Sequence, residues 1–140
     1  MPTHPIAYLA LGDSYTIGEG AGHADRWPVQ LAKMAHAHGL QIADPEIIAR
    51  TGWTTAELQE AIAASGNLRH NYGLVSLLIG VNNQYRGQSL ALYRAEFRQL
   101  LATAQAYAGG QASRVVVLSI PDWGQTPFAA GQDRTPAQLA

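Results

Sequence analysis

A chain of 140 residues, 47% hydrophobic and only 14% charged, carries enough apolar material for one domain with a true core and does not read as disordered. Nine basic side chains stand against ten acidic ones, a formal net charge of −1, which excludes a broad electrostatic grip on nucleic acid or anionic lipid. Cysteine is absent, so disulfide scaffolds, thiol nucleophiles and thiolate metal sites are excluded as well.

The elements alternate along the chain. Residues 6–11 (Ile-Ala-Tyr-Leu-Ala-Leu) form a short apolar run ending at Gly12-Asp13, the pattern of a buried parallel strand. A glycine-rich loop follows through Gly18, Gly20 and Gly22. Residues 28–38 then read as a helix, with Pro28 in its first turn and Gly39 just beyond its end. A second strand is expected over 46–50. Thr54 and Glu57 have the spacing of a capping box for a helix that Gly66 should stop. The third strand is expected over 74–79. The longest helix, 89–108, carries Tyr93, Phe97, Leu100, Leu101 and Ala104 on one face. Residues 114–120 form a fourth strand halted by Pro121, and Thr135-Pro136-Ala137 looks like the start of a further helix.

Strands and helices in this order imply right-handed crossovers and a parallel sheet covered on both faces. Ligands bind such sheets at the carboxyl ends of the strands. Three strand ends carry unusual residues. After the first stand Asp13 and Ser14, where Ser14 is either an exposed nucleophile or part of an ordinary polar turn. After the second stands Gly52, either a tight-turn glycine or a backbone donor beside a helix N-terminus. After the third stand Asn82 and Asn83, either loop residues bonding their own backbone or uncharged donors. The first loop has neither the Gly-Lys-Ser/Thr of a P-loop nor a G-x-S-x-G elbow.

Taken in series, the blocks resemble one family. Tyr8-Leu-Ala-Leu-Gly-Asp-Ser-Tyr-Thr-Ile-Gly-Glu-Gly20, Arg50-Thr-Gly-Trp-Thr-Thr55 and Leu78-Ile-Gly-Val-Asn-Asn83 are similar to the first three blocks of the SGNH hydrolases of the GDSL type. Leu118-Ser-Ile-Pro-Asp-Trp-Gly124 resembles the family's fourth strand and the loop after it. The resemblance implies an α/β fold, a three-layer α/β/α sandwich of flavodoxin-like order with a five-stranded parallel sheet. It also implies serine ester hydrolysis, with Ser14 as nucleophile and with the Ser14 N–H, the Gly52 N–H and the Asn82 amide as oxyanion donors. Asp13, Trp53, Asn83 and Tyr85 are then expected beside the substrate, and Trp123 is a further candidate for the pocket wall. The substrate is expected to be a small acyl, aryl or sugar ester. No cofactor or metal is expected.

Two departures stand out. Asn83 occupies a position where many members have Asp. The family's Asp-x-x-His block is missing, since three residues after Asp13, Asp25, Asp44, Asp122 and Asp133 stand Thr, Pro, Ile, Gln and Pro. The chain therefore reads as C-terminally incomplete over 1–140, with four strands present and the fifth missing. On its own it is expected to be impaired, or else to serve as a non-catalytic binding or assembly domain. Of the five histidines, His4 and His70 should lie at the wrong edge of the sheet. His36 and His38 should lie at the far end of the first long helix. His23 alone falls in a loop at the active edge. A bare fourth strand implies self-association or a second chain covering it. No apolar run reaches the roughly 18 residues of a membrane span. The N-terminus lacks the pattern of a signal peptide, so a cytoplasmic protein is expected.

Overall fold

The structure is a computed structural model, described over residues 5–18 and 20–121. It holds a four-stranded parallel sheet: β1 (Tyr8–Gly12), β2 (Glu46–Ala49), β3 (Leu74–Leu78) and β4 (Val115–Val117), in the order β2-β1-β3-β4. The chain steps from β1 to one side, then crosses back to the other, so the topological switch lies at the carboxyl ends of β1 and β3. The continuous apolar runs Tyr-Leu-Ala-Leu-Gly and Leu-Val-Ser-Leu-Leu become the two central strands because both of their faces are covered. Register pairs Gly12 with Ala49 on one side and with Leu78 on the other.

The connecting helices are α1 (Ser14–Ile17), α2 (Trp27–Ala37), α3 (Thr55–Ser65), α4 (Val81–Tyr85) and α5 (Leu90–Tyr107), with 3₁₀ turns at His23–Asp25 and Ala112–Arg114. Helix α3 packs on α5, and both touch the sheet. Right-handed crossovers put α2 on the opposite face, which completes three layers. The main core lies under α3 and α5. Leu9, Leu11, Val75, Leu77 and Ile79 meet Leu58, Ile62, Leu100, Ala104 and Tyr107 there. On the other face Tyr8 and Ser76 form a buried hydroxyl pair at 2.8 Å. Burial of its phenol pushes Tyr8 up to about 12.

The expected capping box is present. The Thr54 hydroxyl accepts from the Glu57 N–H, the Glu57 carboxylate accepts from the Thr54 N–H, and Gly66 ends α3 in the left-handed conformation. Ser89 caps α5. The strands are shorter than the apolar runs suggest. Ile6 makes only an isolated bridge to Ile42, so β1 starts at Tyr8. Strand β4 pairs with β3 alone among the described strands, and beyond Val117 one bond continues, from the Leu118 N–H to Leu77. The stretches after β1 and β3 were expected as loops, yet each begins with a short helix, α1 and α4. Trp123, His4 and the helix expected from Thr135 lie outside the described residues. No helix among the described residues is long and apolar enough to cross a membrane.

Candidate active site

Ser14 is the first residue of α1, directly past the end of β1, and is partly exposed. Gly12 lets the turn close. A Cβ built there would lie 2.1 Å from Thr16 Oγ1 and 2.8 Å from the Leu78 carbonyl, so any larger residue collides with the first helical turn and the next strand. Asp13 is 1% exposed. One carboxylate oxygen accepts from the Tyr15 N–H at 3.0 Å, while the other is buried without a partner. Burial outweighs that hydrogen bond and raises its pKa to about 6. Asp13 was expected beside substrate. The structure puts it beneath Ser14 as the cap of α1. Gly18 ends α1 with φ at +73° under the Arg26 side chain, and nothing lies near Gly20.

The second and third strand ends are bonded to one another. Asn82 and Arg86 are separated by one helical turn at α4 and face two successive carbonyls. Asn82 Nδ2 donates to the Trp53 oxygen at 2.8 Å, and Arg86 Nη2 donates to the Gly52 oxygen at 2.7 Å. Gly52 adopts a φ of +85°, which a side-chain-bearing residue takes at a cost. Arg86 also pairs with the Glu57 carboxylate at 3.0 Å. The Thr54 N–H first, and then the Arg86 charge, hold Glu57 below the usual carboxylate range. Beneath Gly80, whose φ is +136°, the Tyr93 hydroxyl donates to the Ile79 carbonyl.

Asn83 was expected to face substrate but is fully buried. Its oxygen accepts from the Thr55 N–H at 3.1 Å and its amide donates to Thr55 Oγ1 at 2.8 Å. The same amide makes a close contact with Gln88 Oε1. Thr55 and Gln88 both donate onward to the Glu96 carboxylate, at 2.7 and 2.9 Å. The position thus ties α4 to the start of α3. Trp53 is half-buried against the main core, and Tyr85, the last residue of α4, is 43% exposed.

The sheet therefore gathers Ser14, Gly52 and Asn82 at three neighbouring strand ends. Among the described residues the N–H groups of Ser14 and Gly52 and the Ser14 hydroxyl have no hydrogen-bond partner, and one Asn82 amide hydrogen is uncommitted. His23, expected at this edge, lies elsewhere. Its Nε2 stands 3.6 Å from Asp44, which precedes β2 at the amino side of the sheet. His36, His38 and His70 are exposed, at or beyond the end of α2 and before β3. A cleft of about 330 Å³ lies between the far ends of α3 and α5, lined by Ile62, Leu68, His70 and Tyr107 among others, and includes none of the three site residues.

The sequence-level comparison agrees with this architecture. The chain matches the GDSL-like Lipase/Acylhydrolase family over residues 10–140, and it belongs to that family. Its fold is similar to that of AlinE4, an SGNH-hydrolase family esterase, at 23% identity and a TM-score of 0.68, covering 86% of this chain and 63% of that one. TesA is similar at 22% identity and a TM-score of 0.67, over 90% of this chain and 64% of that one. The psychrotrophic esterase EstA from Pseudoalteromonas sp., solved inhibited by monoethylphosphonate, is similar at 19% identity and 0.65, over 83% and 61%. At these identities the likeness carries the fold. The chain spans less than two thirds of the length of these solved relatives. No protein of curated function matches it in sequence.

Proposed function

We propose that the chain carries the nucleophile and oxyanion hole of a serine ester hydrolase acting on small acyl, aryl or sugar esters. The observation that supports this most is the joining of Asn82 to the Gly52–Trp53 turn, beside the first residue of α1. In this reading Ser14 Oγ attacks the ester carbonyl and gives its proton to a base. The tetrahedral oxyanion is received by the Ser14 N–H, the Gly52 N–H and the Asn82 amide. The alcohol leaves with a proton, and water then releases the acid from the acyl-serine. Each donor is worth about 3 kcal/mol of barrier. An uncharged amide at 82 suits the task, because it donates at any physiological pH without competing for the proton.

In this reading no histidine among the described residues serves as the base, since the sequence has no Asp-x-x-His and His23 stands 3.6 Å from Asp44, before β2. Ser14 by itself is a weak neutral nucleophile. An oxyanion hole alone leaves roughly 10³-fold catalysis over water. A small rate with p-nitrophenyl butyrate that disappears in Ser14→Ala supports the reading. An equal rate in the variant overturns it. The placement of His23 favours one alternative, a non-catalytic domain that binds or assembles through the same fold. In either case we propose that another strand, from a second copy or another chain, covers β4, where Val116 and Val117 are each 47% exposed.

A further inference from the structure

We propose that Arg86 is the positioning residue of the oxyanion hole, holding the Gly52–Trp53 turn in the shape that aims its donors; this rests on the reading of Ser14, Gly52 and Asn82 given above. Arg86 touches no reacting atom. Its guanidinium bridges the Gly52 carbonyl at 2.7 Å and the Glu57 carboxylate at 3.0 Å. Glu57 is itself fixed by the Thr54 N–H at 3.0 Å. One residue thus connects α4, the turn after β2 and the first turn of α3.

Asn82 and Glu57 hold the Trp53–Thr54 peptide of this turn, and Arg86 holds the Gly52–Trp53 peptide before it. The described backbone bond closing the turn, Trp53 N–H to Arg50, is long at 3.3 Å. A Cβ built on Gly52 would meet open space among the described residues, with Arg86 Nη2 at 4.0 Å, so packing does not pin the glycine. A glycine at φ +85° is free to leave that conformation at small cost. With Arg86 on the Gly52 oxygen and Asn82 on the Trp53 oxygen, both peptide planes flanking Trp53 are fixed. The bond to the Trp53 oxygen also orients the Asn82 amide. Remove Arg86, and the Gly52–Trp53 peptide keeps only the long bond from the Trp53 N–H to Arg50. Gly52, and with it the preceding peptide that carries its N–H, is then free to turn, while Asn82 keeps the Trp53 oxygen.

Stability is a poor explanation for this arrangement. Both members of the Arg86–Glu57 pair are about half exposed, at 52% and 40%, and such pairs contribute little. The consequence should therefore appear in the chemistry and not in the melting temperature. That separation makes the proposal testable.

The experiment compares the full chain with Arg86→Ala and Arg86→Lys. The readouts are the phosphonylation rate of Ser14 by a fluorophosphonate, the melting temperature, and hydrogen exchange at the Trp53 amide. We expect Arg86→Ala to slow phosphonylation roughly ten- to a hundredfold, as misplaced donors do. The melting temperature should move by about 2 °C or less, and exchange at the Trp53 amide, bonded to Arg50 in the same peptide that Arg86 holds, should accelerate. Lysine, a single point donor, should recover only part of the rate, and methylguanidinium in solution should restore part of the rate to Arg86→Ala. An unchanged rate in Arg86→Ala overturns the proposal and leaves the ester-hydrolase reading intact. If the parent chain is not phosphonylated, that reading fails. Exchange then decides the clamp, and unchanged exchange in Arg86→Ala overturns it.

Discussion

Asn82 Nδ2 lies 2.8 Å from the carbonyl oxygen of Trp53, so the loop after β3 holds the loop after β2. Replacing Asn82 with Ala removes both that bond and the proposed amide donor. Reaction of Ser14 with a phosphonate should fall about 10²- to 10³-fold, while chemical denaturation shows a loss of about 1 kcal/mol. Asn82→Asp should be no better, because a carboxylate faces the Trp53 oxygen and repels an oxyanion. A rate in Asn82→Ala within threefold of the parent contradicts the role given to Asn82.

Asp13 gives a pH dependence with a definite sign. Its pKa rises from 3.8 unfolded-like to about 6 in the fold because its carboxylate is buried. The folded chain therefore holds the proton more tightly than the unfolded chain, and ionisation costs stability. This cost is absent below about pH 4, grows between about pH 4 and 6, and is complete above, reaching about 2–3 kcal/mol. Asp13→Asn keeps a competent helix cap and removes the titration. The difference in unfolding free energy between parent and variant, measured from pH 4 to 7.5, should change by that amount in favour of the variant. A flat difference contradicts the raised pKa.

Gly12 tests the close approach of β1 to α1. The Gly12→Ala methyl meets Thr16 Oγ1 and the Leu78 carbonyl well inside contact distance, and overpacking of this kind costs about 1–3 kcal/mol. Gly12→Ala should lower the melting temperature, and Thr16→Ala in the same chain should restore part of it. The Leu78 carbonyl keeps the rescue partial.

Asn83→Asp examines the departure from the residue common in the family. Here the charge of the buried cluster sits on Glu96, which already accepts from Thr55 and Gln88. A second carboxylate competes for those donors and faces Gln88 Oε1. We expect a loss of about 1–3 kcal/mol at pH 7. Asn83→Asp with Glu96→Gln should regain most of it, since the charge has then moved and not doubled.

Much of the fold is legible in the sequence, and the reasons are local. Apolar runs mark β1 and β3 because both faces of a central parallel strand are buried. Thr54 and Glu57 mark α3 because a capping box is a contact between residues three apart. The one-turn helices α1 and α4 are invisible to periodicity, having too few residues to show it. The strand limits also escape, because Ile6 and Leu118 are apolar yet each makes only one link to the sheet. At the site, Ser14, Gly52 and Asn82 are placed by the strand order. The burial of Asp13 and Asn83, the placement of His23 near Asp44 and the bridge from Arg86 to Gly52 all depend on contacts 21 or more residues apart, or on packing from several elements. The one hint for Arg86 is its spacing of four from Asn82, a single helical turn.

A formed oxyanion hole around Ser14 sets its reactivity apart from that of the surface serines. The most direct measurement is peptide mapping by mass spectrometry after treating the folded chain with a fluorophosphonate. One phosphonyl group is expected on Ser14, in preference to the exposed Ser65, Ser89, Ser113 and Ser119, and none at that position in Ser14→Ala. A folded chain left unlabelled, or labelled equally on the surface serines, contradicts the reading of Ser14 as the nucleophile.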